Sequence, residues 1–336
     1  MIQHRTKTKR STNASSSPTW RGTPGSAGDT TADAVLGQGN FNNSIANFID
    51  GSGIGNTGCC GTNGFNGGGV AVDGQSTPHH LYAADLFNSR VLAWNDVSSF
   101  QSGAPADKVF GQPDFFSHLC NLGVNNGVLP PTNTPTADTL CRPVVGVFVD
   151  NSSNLWVVDD GNQRVLEYLN PYAPGGGTPG TPGAAGDATA DLVLGQGDFT
   201  SVQRYDYCEV NQFCFMGPEA VAIDNAGNAW VADAAGERVL EFSAPLSNGE
   251  GANKVFGQNG SFITDGCNLG SGTVSADSLC NPAGVAVDSS GNLYVSDENN
   301  SRVLEYDNPL AAGGGTPGTP GLGGRHHGRS GLRPGR

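Results

Sequence analysis

Residues 284–306 read GVAVDSSGNLYVSDENNSRVLEY. The stretch contains three short runs rich in Val, Leu and Tyr, and the first two runs end in Asp. Valines alternate with small residues, as they do in strands that pack through one face. The Asp, Gly and Asn residues between the first two runs are typical of tight hairpin turns. The stretch therefore predicts three antiparallel strands.

The same pattern occurs four times, in the repeat cores 69–94, 145–168, 220–242 and 284–306. Each core contains an Asp followed five residues later by an Arg, and successive arginines lie 74, 74 and 64 residues apart. A run of the type Val-Phe/Leu-Gly-Gln follows the first three cores, and one more copy, at 35–38, precedes them all. Such repetition indicates stacked units, and four strands per unit are typical of a propeller blade.

The motifs P-x-G-V-A-V-D, G-N-L-Y-V-S-D and N-S-R-V-L-E-Y at 282–306 resemble NHL repeats, of the bacterial exported type with cysteine-containing inserted loops. The resemblance covers about residues 33–310 and implies an all-β propeller of four-stranded antiparallel blades, most often six in this family. We therefore expect the blades in 22–310 to form an incomplete arc of a six-bladed propeller. The fold implies no single function, because propellers include lyases, hydrolases, RNA-binding modules and protein-binding platforms.

Both ends of the chain differ from the repeats. Residues 1–21 are basic and rich in Ser and Thr without the apolar run of a signal peptide, so we expect a disordered or artefactual start. Segment 311–336 is Gly/Pro-rich and then becomes an Arg/His/Gly string. Codons can be chosen for 324–335 that encode a close match to 187–196 when read one base later. We expect a frameshifted tail, and further blades in the intact gene.

The charge distribution excludes one class of partner. The formal net charge is −14, and only eight of the 17 Lys and Arg residues lie between 22 and 324, together with all 31 acids. Phosphate binding requires clustered cations, so we expect no nucleic acid partner. Because the Asp–Arg spacing recurs in every copy, we interpret the pairs as structural and not catalytic. The pairs are Asp85 and Arg90, Asp159 and Arg164, Asp233 and Arg238, and Asp297 and Arg302.

The eight cysteines fall two to a loop, each loop preceding a repeat core. Two loops share Cys-Asn-Leu-Gly at one end and Leu-Cys-x-Pro at the other, so each pair is expected to close its own loop by a disulfide. The expected pairs are Cys120 with Cys141, Cys267 with Cys280, and Cys208 with Cys214, while the adjacent Cys59 and Cys60 either bridge each other or pair elsewhere. Zinc is the competing use, but no C-x-x-C spacing or recurring His supports it. Disulfides predict a secreted or periplasmic protein whose signal is absent from this reading frame.

Catalytic groups are sparse. Between the two ends the chain has only His79 and His80, expected in a hairpin turn, and His118 in an inserted loop. The G-x-G-x-x-G at 53–58 opens no helix and does not predict a nucleotide site. Loops 159–162 and 297–300 offer the oxygens that calcium prefers, yet they also fit ordinary turns. No catalytic, cofactor-binding or metal residue is predicted, and calcium is the only ion left open.

Two functions fit these observations. The first is a non-enzymatic, exported scaffold that binds a protein, glycan or cell-surface ligand through its inserted loops, as a monomer without a membrane span. The second is a cell-envelope lyase or lactonase with a metal in the propeller channel and ligands in further blades. Stoichiometric metal would favour the second function.

Overall fold

A computed structural model of the chain describes residues 32–38, 40–42, 50–51, 54, 69–99, 101–123, 134–176, 180–201 and 209–311, without the side chains of 143–145. The predicted segment 1–21 and the tail from residue 312 lie outside these residues. The described part contains three antiparallel sheets of four strands and one of three, with the strands of each sheet in chain order. The predicted all-β fold of propeller blades is therefore confirmed.

Each sheet is one blade. Blade 1 contains β1 (Val70–Asp73), β2 (His80–Asp85), β3 (Arg90–Trp94) and β4 (Lys108–Phe110). Blade 2 contains β5 (Pro143–Val149), β6 (Leu155–Asp159), β7 (Arg164–Tyr168) and β8 (Leu192–Leu194). Blade 3 contains β9 (Pro218–Ile223), β10 (Ala229–Asp233), β11 (Arg238–Phe242) and β12 (Lys254–Phe256). Blade 4 contains β13 (Pro282–Val287), β14 (Leu293–Asp297) and β15 (Arg302–Tyr306).

Helical structure is limited to six short 3₁₀ segments in the described residues. They are Leu86–Asn88, Val97–Ser99, Cys120–Leu122, Asp160–Asn162, Cys267–Gly270 and Glu298–Asn300. Across the ranges that the structure describes, none of these helices has the length and apolar character needed to span a membrane.

The first turn of each of blades 2 to 4 is closed by an Asp. In blade 2, Asp150 Oδ1 accepts hydrogen bonds from the backbone N–H groups of Ser152 (2.8 Å) and Asn154 (3.0 Å). Asn154 Nδ2 donates to the other oxygen of Asp150 at 3.0 Å. Asp224 with Asn228 and Asp288 with Asn292 repeat this arrangement. The turn residues read from the sequence therefore act through side-chain bonds to the backbone.

The apolar core lies between blades. Phe110 of β4 packs edge-on against Tyr168 of blade 2 with ring centroids 5.0 Å apart, and Phe256 of β12 packs in the same way against Tyr306 of blade 4 at 5.2 Å. A glycine with positive φ directly follows each outer strand, at positions 111, 195 and 257. The next loop packs so closely on this glycine that a side chain would not fit. A Cβ added to Gly195 (φ +80°) would lie 2.1 Å from the Phe215 ring.

Residues 35–38 occupy the position of an outer strand without forming one. The Val35 N–H donates to Ser102 Oγ at 3.4 Å, and the Val35 carbonyl accepts from the Gly103 N–H at 3.0 Å. Val193 of β8 makes the same two bonds to the equivalent residues of blade 3, at 2.8 and 3.2 Å. Segment 35–38 thus lies against blade 1 as the outer strand of a preceding blade would. Closure of a small ring would require segment 35–38 to pair with β15, but among the described residues β15 pairs with β14 alone.

The two end faces of the blade array are uncovered in the described residues. Val303 of blade 4 is 44% exposed, whereas the equivalent Val91, Val165 and Val239 are fully buried under the next blade. At the other end Val70 is 70% exposed, whereas Val221 at the same position of blade 3 is 5% exposed. An open arc has this property, because each of its ends lacks the neighbour that covers an internal blade.

Because Val165 is buried and Val303 is exposed, the same substitution should lower the free energy of unfolding by different amounts at the two positions. Val165→Ala should lower the free energy of unfolding by about 2 kcal/mol, because it removes packed methyl groups. Val303→Ala should change it by no more than about 0.5 kcal/mol. Urea unfolding of both variants measures the difference. Equal losses would show that position 303 is covered in solution and would contradict an open end.

Candidate functional site

The connections of each blade alternate between two faces of the array. The loops that lead from one blade to the next lie at the same end as the turns between the second and third strands. We call this end the loop face and define it by the described residues of 111–142, 195–217 and 257–281, with the turns 85–90, 159–164, 233–238 and 297–302. It carries every cysteine that the structure describes.

A buried ion pair connects each turn to the loops around it. Arg164 Nε donates to Asp159 Oδ2 at 2.8 Å, and both side chains are fully buried. The two terminal nitrogens of this arginine donate to the carbonyl of Phe199 (2.7 Å) in the following loop and of Thr139 (2.8 Å) in the preceding loop. Asp159 Oδ1 also accepts the backbone N–H of Cys141 at 2.7 Å. One pair thus holds a turn and two loops.

The other three blades repeat the pair, with Nε to Oδ2 distances of 2.8, 2.9 and 2.7 Å for Arg90, Arg238 and Arg302. Arg90 donates to the Phe115 carbonyl and Arg238 to the Phe262 carbonyl, as Arg164 does to Phe199. The side chain of Arg302 is 18% exposed, whereas the other three are fully buried. Donors already bound to carboxylates and carbonyls are not available to a substrate, so the geometry favours a structural role.

Disulfides close the loops beside these ion pairs. Cys120 is bonded to Cys141 and Cys267 to Cys280, with Cα atoms 4.3 and 4.5 Å apart. Cys214 is disulfide-bonded as well. Its predicted partner Cys208 lies outside the described residues, and so do Cys59 and Cys60.

Two asparagine pairs that sequence reasoning missed add a further connection. Asn121 and Asn162 exchange side-chain hydrogen bonds of 2.8 and 2.9 Å, and Asn268 and Asn300 exchange bonds of 3.1 and 2.9 Å. Each pair joins a Cys-Asn-Leu-Gly loop to the turn of the Asp–Arg pair in the following core. The sequence does contain a signal for these pairs: in both loops an Asn directly follows the first cysteine, and in both following cores an Asn lies two residues before the arginine.

Large apolar side chains are exposed on these closed loops. Phe116 and Ile263 are 71% and 77% exposed, and each directly follows the Phe whose carbonyl binds an arginine. Leu122 and Leu269, within the Cys-Asn-Leu-Gly segments, are 44% and 40% exposed. Phe213 in the loop before blade 3 is 50% exposed. The loop face therefore presents a recurring apolar side chain on a backbone that is bonded on both sides.

Carboxylates from consecutive blades also interact on this face. Burial raises the pKa of Asp160 to about 6, with the opposite charge of Arg142 lowering it in part and Asp159 and Asp233 adding to the rise. Burial also raises the pKa of Glu219 on β9, and the Glu298 and Asp160 carboxylates add to that rise. These residues come from blades 2, 3 and 4. Asp160 and Glu298 belong to the two calcium-like loops predicted from the sequence, whereas Glu219 was not singled out, because nothing in the spacing shows that the three carboxylates meet.

The described residues contain one group with metal-ligand geometry. Single ligand atoms of Glu237, Cys267 and Cys280 lie within 4.8 Å of one another. The two cysteines are joined in a disulfide and so offer no thiolate, which is the form that binds metal. The calcium-like loops 159–162 and 297–300 use their first Asp in the ion pairs. The geometry therefore gives little support to a cofactor at these positions.

The three histidines that the structure describes do not converge on a reaction centre. His80 was expected in a surface turn, but it begins β2, is 5% exposed and stacks on Tyr172 with ring centroids 4.1 Å apart. Its Nδ1 lies 2.6 Å from the Asn95 carbonyl. The turn prediction for His80 was wrong, because β2 extends the alternating pattern back to this residue. His79 lies outside the strand, and His118 lies in the inserted loop as expected.

Comparison with known proteins supports the repeat and little beyond it. The NHL repeat model matches residues 279–306, which include the stretch that predicted the fold, so the predicted NHL repeat is confirmed there. No curated protein sequence matches the chain.

Three similar solved structures show how distant the likenesses are. A streptogramin B lyase structure is 11% identical with a TM-score of 0.37, covering 71% of this chain and 50% of that one. Virginiamycin B lyase from Staphylococcus aureus is 9% identical with a TM-score of 0.35, and the match covers 73% of this chain and 54% of that one. A nidogen/laminin complex is 15% identical with a TM-score of 0.37, covering 71% and 58%. The chain spans about half the length of these structures, and similarity at this level carries no argument about activity.

Unequal burial of the ion pairs generates a prediction. Arg164→Met should lower the free energy of unfolding by about 3 to 5 kcal/mol, because it leaves the Asp159 carboxylate buried without its cation. Arg302→Met should cost about 1 to 2 kcal/mol, because its pair is partly open to solvent. Urea unfolding compares the two variants. A loss below about 1 kcal/mol for Arg164→Met would contradict the role assigned to the pair.

Because burial raises the pKa of Asp160, removing its charge should stabilise the protein at neutral pH. Between pH 4 and 6 the folded protein binds the proton of the Asp160 carboxyl more tightly than the unfolded chain does. The free energy of unfolding therefore falls as the pH rises through 6. Asp160→Asn should raise the free energy of unfolding by about 1 to 3 kcal/mol at pH 7.5 and by little at pH 4.

Asp198 supplies the control with the opposite sign. Hydrogen bonds from Thr200 and Ser201 lower the pKa of Asp198, so Asp198→Asn should reduce stability at pH 7.5. Thermal unfolding at both pH values measures both variants. A gain for Asp160→Asn that is equal at pH 4 and 7.5 would contradict the assignment of the buried charge.

Proposed function

We propose that the chain is a non-enzymatic, exported propeller scaffold that binds a protein, glycan or cell-surface ligand through the loop face. One observation carries the proposal: the loops held by disulfides and buried ion pairs expose Phe116 and Ile263 at 71% and 77%. Loops already fixed in place lose little conformational entropy on binding. Aromatic and large aliphatic side chains are the usual anchors of binding interfaces.

Compartment and charge support the same function. Disulfides persist in oxidising environments, which favours a secreted or periplasmic location. The net charge of −14 opposes a nucleic acid partner and favours a ligand with basic groups. The proposed scaffold acts as a monomer, with the hairpin turns of its opposite face free of the ligand.

The alternative function is a cell-envelope lyase or lactonase with a metal in the channel. One observation favours it, which is the interaction of the Asp160, Glu219 and Glu298 carboxylates from three blades. Carboxylates of this kind bind hard cations. The described residues place no histidine of the chain beside them, so the metal would need ligands from other blades.

The binding proposal predicts that one face carries the affinity. A glycan array and a random dodecapeptide phage library would be screened with the oxidised full chain. The binders should lose at least about tenfold in affinity for the loop-face variant Phe116→Ser/Phe213→Ser/Ile263→Ser, because it removes three exposed anchors. The matched control variant Asn225→Ser/Ser289→Ala changes the opposite face and should bind normally.

Two outcomes would contradict the binding proposal. Binders that are insensitive to the loop-face variant, or equally sensitive to the control variant, would show that this face does not carry the affinity. One equivalent of tightly bound metal in the purified chain, measured by mass spectrometry, would favour the lyase or lactonase instead.

A further inference from the structure

Two of the inserted loops share a layout that goes beyond their cysteines. Residues 111–123 read GQPDFFSHLCNLG and residues 257–270 read GQNGSFITDGCNLG. Aligned through Gly-Gln and Cys-Asn-Leu-Gly, they place Phe116 opposite Ile263 and Leu122 opposite Leu269, and all four side chains are exposed. The two loops differ in charge, since Asp265 stands where the first loop has His118.

The loop before blade 4 forms an open surface cavity of about 510 Å³ on the loop face. Ile263 and Leu269 supply its apolar lining, and Gln258, Thr264 and Asp265 supply polar groups. Neighbouring bonds hold this lining in place. Arg238 donates to the carbonyl of the residue before Ile263 at 2.9 Å, and the disulfide between residues 267 and 280 closes the loop.

A buried amide in the cavity lining has an unused acceptor. Gln258 is 1% exposed, and its Nε2 donates to the carbonyls of Glu237 (2.8 Å) and Gly266 (3.2 Å). Its Oε1 is buried and accepts no hydrogen bond from the described residues. Gln112 repeats this geometry in the first loop, with two bonds from Nε2 and an unpaired Oε1. Both oxygens are closed off from the surface, so a ligand in the cavity does not reach them.

The cavity is also acidic. Asp265 is exposed in its lining, and the Glu237 side chain lies close enough for the two carboxylates to interact. Burial raises the pKa of Glu237, while a backbone hydrogen bond from Asn281 opposes the rise and Asp297 and Asp265 add to it. A ligand with a positive charge would relieve this repulsion, which a neutral or acidic ligand would not do. The residues that line the cavity include no aromatic ring on which a sugar could stack.

We propose that this cavity binds an extended peptide segment of a partner protein in which an apolar side chain adjoins a Lys or Arg. The apolar side chain lies between Ile263 and Leu269, and the basic group pairs with Asp265. The inference rests on the proposed binding function and narrows it to a peptide ligand and one loop. His118 gives the first loop a different preference.

The test uses a random dodecapeptide phage library selected on the oxidised full chain at low ionic strength. The enriched peptides should carry a basic residue beside Leu, Ile, Val or Phe. Their affinity, measured by fluorescence polarisation, should fall at least about tenfold for Asp265→Asn and for Ile263→Ser. Raising the salt concentration should weaken binding to the parent chain and have less effect on Asp265→Asn.

Substitutions outside the cavity provide matched controls. His118→Asn and Val72→Ser, the latter at a valine of β1 that is 55% exposed, should bind the selected peptides like the parent chain. All four variants should keep the parent unfolding temperature, because none of the changed side chains belongs to the buried core. Selected peptides without basic residues, unchanged affinity for both Asp265→Asn and Ile263→Ser, or no enrichment would overturn the proposal.

The pattern of loss separates this inference from the proposed function. Binders that depend on Phe116 and not on Ile263 would leave the loop face as the binding surface and remove the cavity assignment. Sugars from the glycan array that bind through Ile263 and Asp265 would overturn the peptide assignment alone. Binders that depend on neither loop would contradict both proposals.

Discussion

The buried Asp–Arg pair is the interaction on which the rest of the structure depends. Removing two charges from water is costly, and the cost is offset only when both groups find further hydrogen bonds. Arg164 meets this condition through carbonyls of both flanking loops, and Asp159 meets it through the Cys141 N–H. The charges can therefore be buried only if the loops take these positions. Blades 1 and 3 repeat this arrangement, whereas in blade 4 the described bonds of Arg302 reach only carbonyls of the preceding loop.

This constraint explains how long loops without regular secondary structure can present a defined surface. In the loop before blade 2, Arg90 holds the Phe115 carbonyl and Arg164 holds the Thr139 carbonyl. The disulfide between Cys120 and Cys141 closes the loop, and the Asn121 and Asn162 amides connect it to the next turn. Side chains that point away from these contacts, such as Phe116 and Ile263, remain exposed. Apolar side chains on a backbone held in this way favour binding, since little order has to be gained when a ligand arrives.

Much of the fold could be predicted from the sequence. The strands show as a local alternation of valine with small residues, and the Asp–Arg ion pairs show as a fixed spacing that recurs in every core. The ion-paired partners lie five residues apart in the chain, so repetition alone exposed them. Other features depend on how blades pack. The burial of His80 under Tyr172, the meeting of Asp160 with Glu219, and the outer-strand position of Val35 each join distant segments. The cavity beside Ile263 could not be foreseen, because it depends on the path of a loop.

Native-state hydrogen exchange measures whether the buried pairs hold the loop face. The N–H groups of Cys141, Met216 and Cys280 donate to the Asp oxygens of the pairs at 2.7 Å. These loop amides should exchange as slowly as amides in the central strands, because they open only when the ion pair opens. Exchange of these amides at the rate of unstructured peptide would show that the buried pairs do not hold the loops.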